Sequence, residues 1–219
     1  MPTFTELGRA AYCPRQLYYA RRDGDDGPPA AARARQRLAF RYAELRDASD
    51  AALRAEPIEP SPAAYRDALD RLADRDDWAA LTDPRATDVP LTGKDCRGRV
   101  HKLLATDEGP TPSLVSPGSP PERGVWEPQR VKAVAAAKAL SWERSEPIPT
   151  ARVEYPAHGV VRTVRLTTRA KAAYRRALRA VRSLDGPPPR LRDTAKCREC
   201  AYRERCGVRT RSMRSLLGL

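Results

Sequence analysis

Residues 196–207 read KCRECAYRERCG and set Cys197, Cys200 and Cys206 in a C-x2-C-x5-C spacing. A fourth cysteine, Cys13, stands far away in residues 10–22, AAYCPRQLYYARR, and Cys96 is the fifth. Thiols clustered in this way, in a chain read as cytoplasmic, point to metal ligation rather than to disulfides. The two-residue gap lets Cys197 and Cys200 face one ion or one cluster, and Cys206 adds a third ligand. Lys196, Arg198, Arg203 and Arg205 crowd the same window, and positive neighbours favour the thiolate that binds metal. Structural zinc usually takes two short cysteine pairs. Three ligands together and one distant fit a 4Fe-4S cluster better. Zinc is the alternative. Either group would tie the N-terminus to the C-terminus and close the chain into one unit.

The charge balance points to an anionic partner. The chain of 219 residues carries a net charge of +13, with a pI near 10.0, and nucleic acid is the leading candidate. Arg supplies all but six of the 41 basic residues, which an Arg-rich genome would also produce. Such a bias does not by itself leave the positive charges unbalanced by acids. No window approaches the roughly 20 apolar residues of a membrane span, and the N-terminus lacks the apolar core of a signal peptide. The expectation is a cytoplasmic protein with no membrane partner.

Periodicity and punctuation give the elements. Residues 3–22 read as a helix, capped by Thr3 or Thr5, with a kink or break at Cys13-Pro14. An acidic linker at 23–29 leads to an Ala/Arg-rich helix over 31–55. A second helix over 61–80 opens on Ser61-Pro62, with Ala64, Leu69, Leu72 and Trp78 as its buried side. Residues 88–105 read as a hairpin or two adjacent strands, with Cys96 as a small buried residue. Five prolines between Pro110 and Pro121 suggest a loop in place of part of a strand. A helix follows over 127–144, a second hairpin over 151–168 with His158 in its turn, and a strongly patterned helix over 168–184. Arg175, Arg176, Arg179 and Arg182 on that last helix are candidate nucleic-acid contacts, with Lys132 on the preceding helix. A merely solvated face is the alternative. Arg209, Arg211 and Arg214 in the tail are further candidate phosphate contacts.

CPRQLYY, followed much later by KCRECAYRERCG, resembles the CRISPR-associated exonuclease family, whose members have a RecB-like nuclease domain of the PD-(D/E)XK superfamily and a 4Fe-4S cluster. The resemblance implies an α/β fold, a mixed central sheet flanked by helices, over a single domain at 1–219. It implies a helical subdomain at 31–80 and a nuclease-like core at 88–184. Residues 1–22 and 190–219 would join at an iron–sulfur site held by Cys13, Cys197, Cys200 and Cys206. The middle of the chain departs from the family. GRVHKLL resembles the strand whose aspartate ligates the catalytic divalent ion, with His101 at the aspartate position. The E-x-K that should follow is replaced, around Leu114–Gly118, by residues that include neither acid nor lysine. Gln129 matches the glutamine of Q-x-x-x-Y, but Ala133 stands for its tyrosine, and the family's helical histidine is absent.

His101 and Gln129 are thus the candidate catalytic residues at motif positions. Magnesium and manganese prefer oxygen donors, so an imidazole is a poor substitute. His101 reads equally as an ordinary strand residue. Active members of the family trim DNA that becomes new CRISPR spacers, working with the adaptation integrase. Three functions remain open from the sequence. The first is a DNA-binding iron–sulfur protein without hydrolysis. The second is a divergent exonuclease, using Mg or Mn, with ligands drawn from Asp95, His101, Asp107, Glu108 and Glu127. The third is a zinc- or cluster-stabilised redox or adaptor protein.

Overall fold

A computed structural model describes residues 1–24, 27–191, 195–198 and 200–207. The tail arginines Arg209, Arg211 and Arg214 lie outside the described residues. The chain begins with α1 (Phe4–Tyr12), capped by Thr3, whose hydroxyl accepts from the Glu6 amide while the Glu6 carboxylate accepts from the Thr3 amide. Cys13 is extended, at φ −160°, and α2 (Pro14–Asp23) starts on its proline. Of the kink or break expected at this point, the structure shows the break. Proline has no N–H to continue the first helix but fits the first position of the second.

The expected helix over 31–55 is three shorter ones: α3 (Ala30–Arg37), α4 (Tyr42–Arg46) and α5 (Asp50–Ala55), with a 3-10 turn at Leu38–Phe40. Arg41 leaves helical geometry, and Ser49 caps a new start by accepting from the Ala52 amide. Leu38, Tyr42, Leu45 and Leu53 all belong to one core. The helix expected over 61–80 also divides, into α6 (Pro62–Ala73) and α7 (Trp78–Thr82). Tyr65, Ala68, Leu69 and Leu72 form the buried side of α6, whereas Ala64 is exposed. Between the two helices Asp77 is buried, with Arg75 and Arg152 both donating to its carboxylate.

Five strands form one mixed sheet in the order β1 (Ala86–Thr92), β2 (Arg97–Thr106), β3 (Gly109–Val115), β4 (Thr150–Tyr155), β5 (Val160–Arg165). Only β3 and β4 are parallel, and the crossover between them carries α8 (Glu127–Arg144). The loop expected from the prolines is confined to residues after Val115; Pro110 and Pro112 lie within β3. The reason is directional. The Val115 amide points toward β2 and the Ser116 amide toward β4, where it reaches the Glu154 carbonyl. By alternation, the nitrogens of Pro110 and Pro112 face the β4 side. There β4 pairing begins only at Ser113 opposite Arg152, so neither proline displaces a ladder bond.

On one face of the sheet α1, α8 and α9 (Thr168–Arg182) share a core with Leu114, Ala151, Val153 and Tyr155. On the other face the 3-10 turn at Leu38–Phe40 and α4–α7 pack over Leu104, Val115 and Val161. Gly159 closes the β4–β5 turn at φ +60°, so close to α6 that a Cβ would lie 2.9 Å from Ala68 Cβ. Among the described residues no helix is long and apolar enough to cross a membrane.

Candidate functional site

The four cysteines expected to act together line one cavity of about 20 Å³. Cys13 comes from the α1–α2 break, Cys197 and Cys200 from the loop before the short helix α10 (Arg203–Cys206), and Cys206 from its end. No disulfide joins any of the five cysteines. The pieces are held by α2 and its approach. Tyr12 Oη donates to the Lys196 carbonyl at 2.7 Å, and Lys196 Nζ lies 5.4 Å from the centre of the Tyr12 ring. Tyr19 stacks on Tyr202, with ring centres 5.6 Å apart, and donates to the Arg205 carbonyl. Arg205 pairs with Asp23, and Arg15 donates to the Pro188 carbonyl. Gln16 Nε2 lies 3.9 Å from Cys200 Sγ. The four thiols thus share a lining with Arg15, Gln16, Tyr19, Tyr202 and Arg203. Among the described residues no three His, Cys, Asp or Glu side chains converge on a single ion-sized point. The donor set, four sulfurs with two arginines around them, is chemically that of a thiolate-held cluster or of zinc.

The second candidate lies where β2 and β3 part. Their register runs from Thr106 opposite Gly109 to Lys102 opposite Ser113, and one step further would set His101 opposite Leu114. Instead of a backbone carbonyl, the His101 Nδ1 accepts the Val115 amide at 3.1 Å. The imidazole completes the ladder. Nδ1 is then occupied as an acceptor and the proton of the neutral ring sits on Nε2, leaving no lone pair for a metal ion. Burial, reinforced by the charge of Lys132, pulls His101 down to about 4, so the ring is neutral near neutral pH. Gln36 of α3 lies 3.5 Å from His101 Nε2. Gln129 of α8 contacts Ser116 Oγ at 3.4 Å, and its Oε1 is buried without a partner among the described residues.

Carboxylates are not gathered there. Asp88 is the one whose charge reaches His101, and it is engaged by Arg99 through two bonds of 2.6 and 2.7 Å. Asp95 pairs with Arg182, and Glu127 with Arg176. Asp107 and Glu108 belong to the β2–β3 turn, at the far end of the strand, where Thr150 donates to Glu108. The ligands that a relocated divalent-metal site would need are thus dispersed. The residues at the position offer neutral nitrogen and hydroxyl groups and fit a magnesium or manganese ion poorly.

On the reverse face of β2 is a group that sequence reasoning missed. Lys102 and Glu154 are fully buried and paired at 3.0 Å. Lys102 Nζ also donates to the carbonyls of Ala39 and Leu81, and Ser113 Oγ donates to Glu154 at 2.6 Å. Burial pulls Lys102 down, opposed by Glu154. Of these four bonds, the two to the Ala39 and Leu81 carbonyls anchor the helical layer to the sheet. A lysine inside RVHKLL and a glutamate inside ARVEYP were the legible signals, since both interrupt apolar strands.

The expected nucleic-acid contacts divide. Arg175, Arg176, Arg179 and Arg182 are all exposed on α9. Arg176 and Arg182 are ion-paired, as above, whereas Arg175 and Arg179 have no carboxylate partner among the described residues. Lys132 is half-buried against α1, its Cε 2.6 Å from where a Gly8 Cβ would stand. No protein-family model matches the chain, and no curated protein is significantly similar to it.

Proposed function

We propose that this protein is a DNA-binding iron–sulfur protein on the scaffold of the RecB-like CRISPR-associated exonucleases, and that it does not hydrolyse DNA. One observation carries the reading: Cys13, 184 positions from Cys197, lines the same cavity as the three clustered cysteines. A mixed sheet with helices on both faces is compatible with a nuclease-like core. Cys13, Cys197, Cys200 and Cys206 would hold the cluster. Its contribution there is structural, a crosslink between α2 and the C-terminal segment. The position of the family's metal ligands offers a neutral imidazole already used as an acceptor, beside Leu114 and Ser116. Zinc in the same four thiols is the alternative occupant. The net charge of +13 supplies the attraction for DNA.

Anaerobically purified protein, mixed with end-labelled single- and double-stranded DNA and magnesium or manganese, tests the reading. The expected result is brown protein that retards DNA without cutting it, with His101→Ala behaving like the wild type. Cleavage by the wild type that disappears in His101→Ala would instead establish the divergent exonuclease. A partnership with the adaptation integrase follows from the same reading, and co-purification of the two proteins would test it.

A further inference from the structure

We infer that the groove between the β1–β2 turn, the C-terminal turns of α8 and the exposed face of α9 binds single-stranded DNA, with a base stacked on Trp142. This rests on the DNA-binding reading and assigns it a surface. Two adjoining cavities, of about 580 and 320 Å³, share Asp95, Lys138, Lys171 and Tyr174 and form one continuous groove. The floor of the larger includes Cys96, Ala139, Ile148 and Leu166, all apolar. Its rim is basic. Lys94, Lys138, Lys171, Arg175, Arg179 and Arg182 line the two cavities, and Asp95 is the single acid among the lining residues.

That acid is already taken, by Arg182 at 2.7 Å. Among the described residues no carboxylate pairs with Lys94, Lys138, Lys171, Arg175 or Arg179. Five cations around one groove repel one another, and a polyanion threaded between them relieves that repulsion. Lys171, Arg175 and Arg179 follow at four-residue intervals, so their Cα atoms rise by about 6 Å per step along the helix. This presents a row of positive charge rather than a point, which suits successive phosphates better than a small anion.

Trp142 distinguishes a single strand from a duplex. Its side chain is among the large hydrophobics left exposed, at 59%, and Lys94 Nζ lies 6.0 Å from its ring centre. An exposed indole beside an apolar floor and a basic rim offers a stacking platform for an unpaired base, which a duplex conceals. The close approach that builds this corner depends on Gly93. A Cβ there would stand 2.8 Å from the Ala139 Cα, so any side chain would push the turn, and Lys94 with it, off α8. The groove meets α8 at Lys138–Trp142, whereas the His101 position meets it at Gln129 and Lys132.

The test measures anisotropy of a labelled single strand and of a labelled duplex against the full chain over a range of salt. Trp142→Ala is expected to weaken single-strand binding by about 5- to 100-fold, to leave duplex binding unchanged, and to be rescued by Trp142→Phe. Replacing Lys94 and Lys171 together by Ala should reduce the salt slope for the single strand by about 1.4. Wild-type protein that binds neither DNA would overturn both the reading and the groove. Wild-type binding that all these variants retain in full would overturn the groove alone. So would equal losses on single strand and duplex in Trp142→Ala.

Discussion

The cysteine pocket and the His101 position stand at opposite ends of one question: what a site keeps when its surroundings are kept. At the pocket all four sulfurs expected from the sequence line one cavity, and the end of α1 with α2 holds the C-terminal segment through Tyr12, Arg15, Tyr19 and Asp23. At the His101 position β2 and β3 part, and the imidazole itself fills the gap by taking the Val115 amide. At one place four thiols from distant parts of the chain share a lining; at the other an imidazole is already used by a neighbouring amide. The difference teaches that a neutral side chain can close a strand opening, because a ladder bond needs only an acceptor, whereas a divalent cation needs charge.

Removing one thiol breaks this comparison most directly. Cys206→Ala is expected to yield colourless, poorly folded protein, read by the visible absorbance and the iron and sulfide content of anaerobic preparations. A soluble brown variant would show that Cys206 is not a ligand. The next effect in size lies behind β2. Glu154→Gln leaves the Lys102 ammonium buried without its counter-ion and is expected to cost about 3–5 kcal/mol in denaturant unfolding. The double change Lys102→Met with Glu154→Leu removes both charges and should cost much less. If the double variant is as unstable as the single, the pair acts through something other than its charge.

The smallest effect sharpens the account of His101. Its folded-state value of about 4 lies below the ordinary value of 6.5. Between those limits the unfolded chain binds more protons than the folded one, so the stability from burying a neutral His101 is fully present above about pH 6.5. It is lost as the pH falls toward 4, by at most about 3 kcal/mol. His101→Gln keeps an acceptor for Val115 without the titration. The stability difference between wild type and this variant should therefore shift against the wild type on acidification, as followed by urea unfolding at several pH values. A difference that does not change with pH would mean that His101 is more solvated than its packing indicates.

Much of the fold was legible. The breaks at Cys13-Pro14 and Ser61-Pro62, the helices over 127–144 and 168–184, and the two hairpins all follow from residues that are neighbours in sequence. What misled was also local in appearance. An Ala/Arg-rich stretch reads as one helix because nothing in it forbids helix, yet Arg41 leaves helical geometry and Ser49 caps a new start. Pro110 and Pro112 read as loop because a proline usually costs a ladder bond, and here their nitrogens face a side with no partner strand. At the candidate sites, His101 and Gln129 were found by motif position. Gln36, Ser116, Lys102, Glu154 and Trp142 were not, because their roles come from what lies across a strand or helix.

The sequence by itself determined the helix caps and breaks, the strand alternation, the surplus of positive charge and the spacing of three cysteines, since each depends on residues within a few turns of one another. Only the tertiary structure decided that Cys13 lines the same pocket as those three, that Val115 reaches His101, and that Lys94, Trp142 and Lys171 border one groove. Those pairings join residues 14 or more positions apart, and strand register and helix packing set them, neither of which any local stretch specifies alone.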